Sequence, residues 1–89
     1  MARASEWQRF EILRNLIDSA VEDATWGIDD EVYHYLIFIS EGLDEVVCYV
    51  NQSDAEQLAL IENYEGWNVE TATNLEDINE IAGMYFDLR

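Results

Sequence analysis

The distribution of charge constrains this chain more than any other feature of its sequence. Between Asn15 and Leu88 there is no lysine or arginine, whereas 18 of the 20 acidic residues fall in that stretch, and the formal net charge is −16. Self-repulsion at such a charge opposes a compact state. The chain is nevertheless 49% hydrophobic and 12% aromatic, well above the composition of disordered acidic chains. We therefore expect a folded domain with an acidic surface.

A chain of 89 residues is expected to form one α+β domain with a single core, spanning residues 1–89. Cys48 is the only cysteine, so no internal disulfide is possible, and its apolar neighbours indicate a buried structural thiol. The first ten residues lack the apolar region of a signal peptide, and no stretch approaches the roughly 18 apolar residues of a membrane span. These features predict a cytoplasmic protein.

Hydrophobic periodicity predicts a helix at each end of the domain. Ser5 and Gln8 form a capping box before a helix from about Glu6 to Asp23. Thr73 and Glu76 form a similar pattern before a final helix. The apolar positions of that helix are Leu75, Ile78, Ile81, Ala82, Tyr85 and Phe86.

The middle of the chain has the pattern of a small antiparallel sheet. Residues 32–40 are apolar on nearly both faces, as in a central strand, and residues 45–51 return as the second strand of a hairpin. Residues 53–65 fit either a helix or a strand. We predict a helical turn at 54–57 that leads into a strand at 58–63, and then a short edge strand at 68–72. The predicted order is αββββα or αβββα, with a sheet of three or four strands packed against the two helices.

Few residues are suited to catalysis or to metal binding. His34 and Cys48 are the only histidine and cysteine, and both fall in predicted apolar strands, where structural roles are more common. The four glycines are isolated, so there is no phosphate-binding loop, and no segment has the ligand spacing of a calcium or zinc site. We expect no enzymatic activity, no cofactor and no metal.

The acidic surface indicates a basic protein partner. Direct binding to nucleic acid or to an anionic membrane is disfavoured by like charge. Twelve carboxylates are the candidate contact residues: Asp29, Asp30, Glu31, Glu41, Asp44, Glu45, Glu62, Glu65, Glu70, Glu76, Asp77 and Glu80. Asp18 and Glu22 are also expected to face solvent, and Trp26 and Trp67 are candidate aromatic anchors. Solubility and adaptation to salt are alternative explanations of the acidity. The absence of lysine weakens the first, and eight isoleucines and eleven aromatic residues make a heavier core than the second alone predicts.

The last third of the chain resembles a known family. Residues 56–65 (EQLALIENYE), residues 71–74 (TATN) and residues 75–81 (LEDINEI) resemble a segment of the ArdA-type antirestriction proteins. In that family an apolar strand ends in an Asp-Tyr-Glu-like triplet and is followed by an acidic extended stretch and a capped helix. The likeness spans about residues 56–88. Those proteins are longer and have several domains, so this chain would correspond to one module, and Asn63 stands where the family tends to have an acid.

The resemblance and the charge imply the same activity. Duplex DNA carries about one negative charge per 1.7 Å of its axis, so an acidic domain can present charge at a comparable density. We expect an inhibitor that is encoded by a phage or mobile element and acts in the cytoplasm of the host bacterial cell. This inhibitor mimics DNA and occupies the nucleic-acid site of a restriction or CRISPR-Cas nuclease. The alternative is an immunity protein or antitoxin that neutralises a basic toxin such as a nuclease. The oligomeric state, a homodimer included, stays open at this point.

Overall fold

The protein has a three-stranded antiparallel sheet with helices on both faces. A computed structural model describes residues 4–30 and 32–86. The elements, in chain order, are α1 (Ala4–Thr25), β1 (Tyr35–Ile39), β2 (Val46–Val50), α2 (Asp54–Asn63), β3 (Asn68–Ala72), α3 (Leu75–Ile81) and a 3₁₀ turn (Ala82–Tyr85). The order of strands across the sheet is β2-β1-β3. The predicted α+β class, with helices at both ends of the chain, is confirmed.

Strand β1 is central because its five residues are apolar on both faces. Its side chains at 35, 37 and 39 point to one face, where they join the main core with Leu13 and Ile17 of α1 and with Ile78 and Ile81 of α3. Leu36 and Phe38 point to the opposite face and are also buried. Burial of both faces explains why this strand lacks the alternation of polar and apolar residues that a half-exposed strand shows.

The second face of the sheet is covered by the end of α2. The ring of Tyr64, which caps α2, stacks on Phe38 with ring centroids 4.4 Å apart. No residue of α2 itself is fully buried. This helix therefore makes a thinner layer than α1 and α3 make on the first face.

Residues 58–63 correct one prediction. They are the second half of α2 and not a strand, so the order of elements is αββαβα, which differs from both predicted orders. Ser53 and Glu56 do form the predicted capping box: the Ser53 hydroxyl accepts from the Glu56 amide, and the Glu56 carboxylate accepts from the Ser53 amide. Once this cap starts a helix, the apolar run simply continues it. The resemblance implied a strand for the same residues, and the structure has a helix there.

The other boundaries differ from the predictions by a few residues. Helix α1 starts at Ala4, before the predicted cap, and the Ser5 side chain lies outside the described residues. Helix α3 is capped by the Asn74 side chain, which accepts from the Asp77 amide, so the predicted pair Thr73 and Glu76 is off by one residue. Within the described part of the chain, no helix has the length and hydropathy needed to cross a membrane.

Candidate partner-binding surface

Strand order gathers the carboxylates at two opposite ends of the sheet. At one end, Ile39 pairs with Val46 and with Asn68, so the loop 40–45 and the turn 64–67 leave the sheet side by side. At the other end, Tyr35 pairs with Val50 and with Ala72, so the segments that follow β2 and β3 lead there into α2 and α3. Acidic residues occur in the segments at both ends.

The first set of carboxylates, which we call the loop group, lies in the loop 40–45 and at the end of α2. Its members are Glu41, Asp44, Glu45, Glu62 and Glu65, and all five are exposed. The Ser40 hydroxyl fixes the loop, because it accepts from the amides of Asp44 and Glu45 and donates to the Asp44 carboxylate at 2.8 Å. The loop group is therefore presented on a well-defined backbone.

Two members of the loop group lie where the dipole of α2 disfavours negative charge. Glu62 is in the last turn of α2, and Glu65 follows that helix directly, while no basic residue is present in the last turn. The last turn of α1 likewise carries Glu22 and Asp23 without a basic residue, and Asp23 lines a small cleft with Val46, where β2 begins. Carboxylates at a helix C-terminus are destabilising. These charges therefore oppose folding, and the fold alone does not explain their presence.

The second set, which we call the cap group, lies at the opposite end of the sheet. Its members are Asp29, Asp30, Asp54, Glu56, Glu76 and Asp77. Asp54 and Glu56 are in the first turn of α2, and Glu76 and Asp77 are in the first turn of α3. Negative charge at a helix N-terminus is stabilising. These four carboxylates accordingly have a structural reason to be acidic.

Local hydrogen bonds also hold the cap group. The Asp30 carboxylate accepts from the Asn51 side-chain amide at 2.7 Å, and the Asn51 side-chain oxygen accepts from the His34 amide at 2.8 Å. Asn51 has a φ of 54°, a left-handed conformation that asparagine tolerates well. Hydrogen bonds from the backbone and side chain of Ser53 lower the pKa of Glu56. The cap group thus belongs to the framework of the fold.

Ten of the twelve predicted contact residues are exposed carboxylates, as expected. Glu70 is a correction, because it is half-buried on the α3 side of β3 and accepts a hydrogen bond from the Tyr85 hydroxyl. Burial, together with this hydrogen bond, raises the pKa of Tyr85. Glu70 therefore has a structural partner and is removed from the candidate surface. Glu31 lies outside the described residues, and Glu80 is exposed on α3.

His34 and Cys48, the two residues considered for catalysis, differ in their burial. His34 precedes β1 and is exposed, so the prediction of a core histidine within the strand is wrong. Cys48 is half-buried against the main core, and burial raises the pKa of its thiol to about 12. A thiol with that pKa is protonated at neutral pH and is a poor nucleophile. Among the described residues, no three histidine, cysteine or acidic side chains are grouped so that they could bind a metal ion.

Aromatic rings brace the turn that carries Glu65. Tyr64 stacks on Phe38, and Trp67 meets Tyr64 edge-on with centroids 5.0 Å apart. The hydroxyl groups of Tyr49 and Tyr64 are 2.9 Å apart and form a hydrogen bond. This bond is the main cause, and burial the second, of the rise in the pKa of Tyr64 to about 12. Trp67 is thus part of a packed cluster. The other candidate anchor, Trp26, is 81% exposed at the end of α1.

Sequence reasoning did not select Asp54 and Glu56 as members of an acidic surface. The signal was present, since the capping box at Ser53 starts a helix and places both residues in its first turn. The capping box could not show that this helix starts at the same end of the sheet as α3.

Searches of protein-family models, of curated proteins and of solved structures found no match to this chain.

Proposed function

We propose that this protein inhibits a nucleic-acid-binding protein of a bacterial host by acting as an acidic mimic of DNA. The target is a defence nuclease of the restriction or CRISPR-Cas type, and the inhibitor comes from a phage or mobile element. The resemblance of residues 71–81 to the ArdA family, in which an acidic extended stretch is followed by a capped helix, favours this class of target. A basic groove that binds phosphates would attract a domain of such charge over long distances.

The observation that supports the proposal most is the loop group. Five exposed carboxylates lie at one end of the sheet, two of them at a helix C-terminus, where they cost stability. Unfavourable charge that is kept on a surface indicates selection for binding. The longest axis of the domain is 41 Å, a length over which duplex DNA presents about 24 phosphates at 1.7 Å each, so the domain is long enough to lie along a groove that binds DNA.

The test uses two variants that remove the same number of charges. The loop variant carries Glu45→Gln, Glu62→Gln and Glu65→Gln, and the cap variant carries Asp54→Asn, Glu76→Gln and Asp77→Asn. Each changes the net charge from −16 to −13, since three acids are neutralised. Displacement of a labelled DNA duplex from a restriction nuclease and from an RNA-guided nuclease is measured by fluorescence anisotropy at several salt concentrations.

We expect wild type to displace the duplex from one of these enzymes, with an affinity that falls as salt rises. The loop variant should bind at least tenfold more weakly, mainly through slower association, because steering depends on the charges that face the partner. The cap variant should bind within about threefold of wild type. If neither enzyme loses its DNA, or if both variants bind as wild type does, the mimicry proposal is wrong.

Neutralisation of a toxin is a second candidate, and the exposure of Trp26 favours it. A tryptophan that is 81% exposed beside Asp29 and Asp30 resembles the central anchors of protein–protein interfaces. Copying the charge of DNA requires no such anchor. With a basic nuclease toxin as the partner, a loss of affinity larger for Trp26→Ala than for the loop variant would favour this function over mimicry.

A further inference from the structure

The outer edge of β3 presents free backbone groups. The Asn51 amide donates to the His34 carbonyl, and the Ser40 amide donates to the Glu45 carbonyl, so the even-numbered residues of β1 point their backbone groups towards β2. The odd-numbered residues point towards β3 and bond to residues 68, 70 and 72. The N–H and C=O groups of Val69 and Thr71 consequently point away from β1. Within the described residues no strand pairs with this edge.

Helix α2 carries exposed apolar side chains on the second face of the sheet, the face to which the side chains of Val69 and Thr71 also point. Asp54, Leu58 and Ile61 recur at i, i+4 and i+7 and form one stripe of this helix, and Glu65 lies in the turn between α2 and β3. Leu58 is 65% exposed and Ile61 is 42% exposed. The helix is tied to β1 and β2 by Tyr64, so it leaves the face of β3 uncovered, and Val69 is exposed there.

A groove separates α2 from β3 at the end where α2 begins. It has a volume of about 630 Å³, and its lining includes His34, Leu36, Asp54, Gln57, Thr71 and Thr73. The apolar stripe of α2 continues from one wall of this groove. The region thus combines a free strand edge, exposed apolar side chains and flanking carboxylates.

We propose that an extended, basic segment of a partner protein binds along β3 as a fourth strand. Its backbone pairs with Val69 and Thr71. On its face towards α2, apolar side chains in the middle of the segment contact Leu58 and Ile61, and a lysine or arginine at each end of that same face reaches Asp54 and Glu65. Backbone hydrogen bonds supply affinity in this mode of recognition, and the side-chain contacts supply specificity. The proposal rests on the proposed function, in that the partner is a basic protein.

The net charge of the chain favours a basic segment over a second copy of the chain as the occupant of this edge. Two molecules of net charge −16 repel each other, and Asp54 and Glu65 flank the apolar side chains on both copies. A helix seated in the groove would contact Leu58 and Ile61 but would leave the backbone groups of Val69 and Thr71 unused. An extended basic segment satisfies the strand edge and the flanking acids together.

The probe is a terminally blocked peptide of sequence Lys-Thr-Val-Thr-Val-Thr-Lys, whose lysine and valine side chains share one face of an extended strand. It is titrated into the labelled protein and followed by amide chemical shifts. Thr71→Pro removes the N–H of residue 71, which points away from β1. The hydrogen bonds between β3 and β1 remain, because residues 68, 70 and 72 make them, and an edge strand tolerates proline at an outward position. Thr71→Val keeps the N–H and serves as its control. Leu58→Ala tests the stripe, and Leu75→Ala is the matched control, because Leu75 is 64% exposed on α3.

We expect shifts at Val69, Thr71 and Ile61, at least tenfold weaker binding for Thr71→Pro, and about threefold weaker binding for Leu58→Ala. Both controls should bind as wild type does. Equal binding by Thr71→Pro and Thr71→Val, or shifts spread evenly over all acidic residues, would overturn the proposal. Tighter binding of a helical lysine–leucine peptide that is insensitive to Thr71→Pro would also overturn it, in favour of a helix. Displacement of DNA from a nuclease is measured separately. The proposal that a strand binds at β3 and the proposal of DNA mimicry can therefore fail independently.

Discussion

The two acidic ends of the sheet carry similar charge for different physical reasons. Four members of the cap group, Asp54, Glu56, Glu76 and Asp77, lie at the N-termini of α2 and α3, where backbone N–H groups favour carboxylates. Two members of the loop group, Glu62 and Glu65, lie in the last turn of α2 or just after it, where the dipole disfavours them and no basic residue is present. Charge that stabilises a fold is explained by the fold, whereas charge that opposes folding needs another explanation. In the proposed function, binding to a basic partner supplies that explanation.

The largest expected effect is on stability, and it should have opposite signs at the two ends. Loss of three carboxylates at helix N-termini in the cap variant should lower the free energy of unfolding by about 1–3 kcal/mol, at about 0.3–1 kcal/mol each. The loop variant should be as stable as wild type or more stable, because it relieves repulsion. Urea denaturation followed by tryptophan fluorescence measures both. Equal destabilisation by the two variants would abolish the distinction between the groups.

A smaller effect is expected from salt. Screening over a Debye length of about 8 Å at physiological ionic strength weakens repulsion among exposed carboxylates, so the melting temperature should be higher in 0.5 M than in 0.02 M sodium chloride. The rise should be smaller in the loop variant, which has lost part of that repulsion, than in the cap variant of equal charge. Thermal melts in both salts provide the measurement. A flat curve for wild type would show that the carboxylates do not repel each other appreciably.

The sequence predicted the elements better than it predicted their arrangement. Helix α1, the hairpin and β3 follow from periodicity and turn residues, and the capping box at Ser53 was identified correctly. The run Leu58 to Ile61 fits a strand as well as a helix, because a short apolar run shows no clear period. No residue of α2 is fully buried, so this helix does not need the apolar stripe by which a helix is recognised in a sequence. His34 was placed in the core because residues 32–34 continue the apolar pattern, although the strand starts at Tyr35.

The grouping of the carboxylates depends on strand order, which local patterns do not specify. Because β3 pairs with β1 and not with β2, the turn that carries Glu65 lies beside the loop that carries Glu45. The free edge of β3 has the same origin. Likewise, the role of Glu70 was hidden, because only its register opposite Ile37 places it on the face where Tyr85 reaches it.

The smallest expected effect concerns one member of the cap group and its dependence on pH. Hydrogen bonds from Ser53 lower the pKa of Glu56 in the folded state below its ordinary value of 4.5. A group with a depressed folded pKa stabilises the fold fully above its unfolded pKa, and this contribution is lost as pH falls through the folded value. Wild type should therefore lose stability between about pH 5 and pH 3 more steeply than Glu56→Gln, which keeps an acceptor oxygen without the charge. Urea denaturation at pH 7, 5, 4 and 3 measures the two slopes, with Glu62→Gln as the control. Glu62→Gln removes one charge from the same helix at a position outside the capping box, so it controls for the loss of charge alone. If Glu56→Gln and Glu62→Gln changed the slope equally, the loss of stability in acid would reflect overall charge and not the cap at the start of α2.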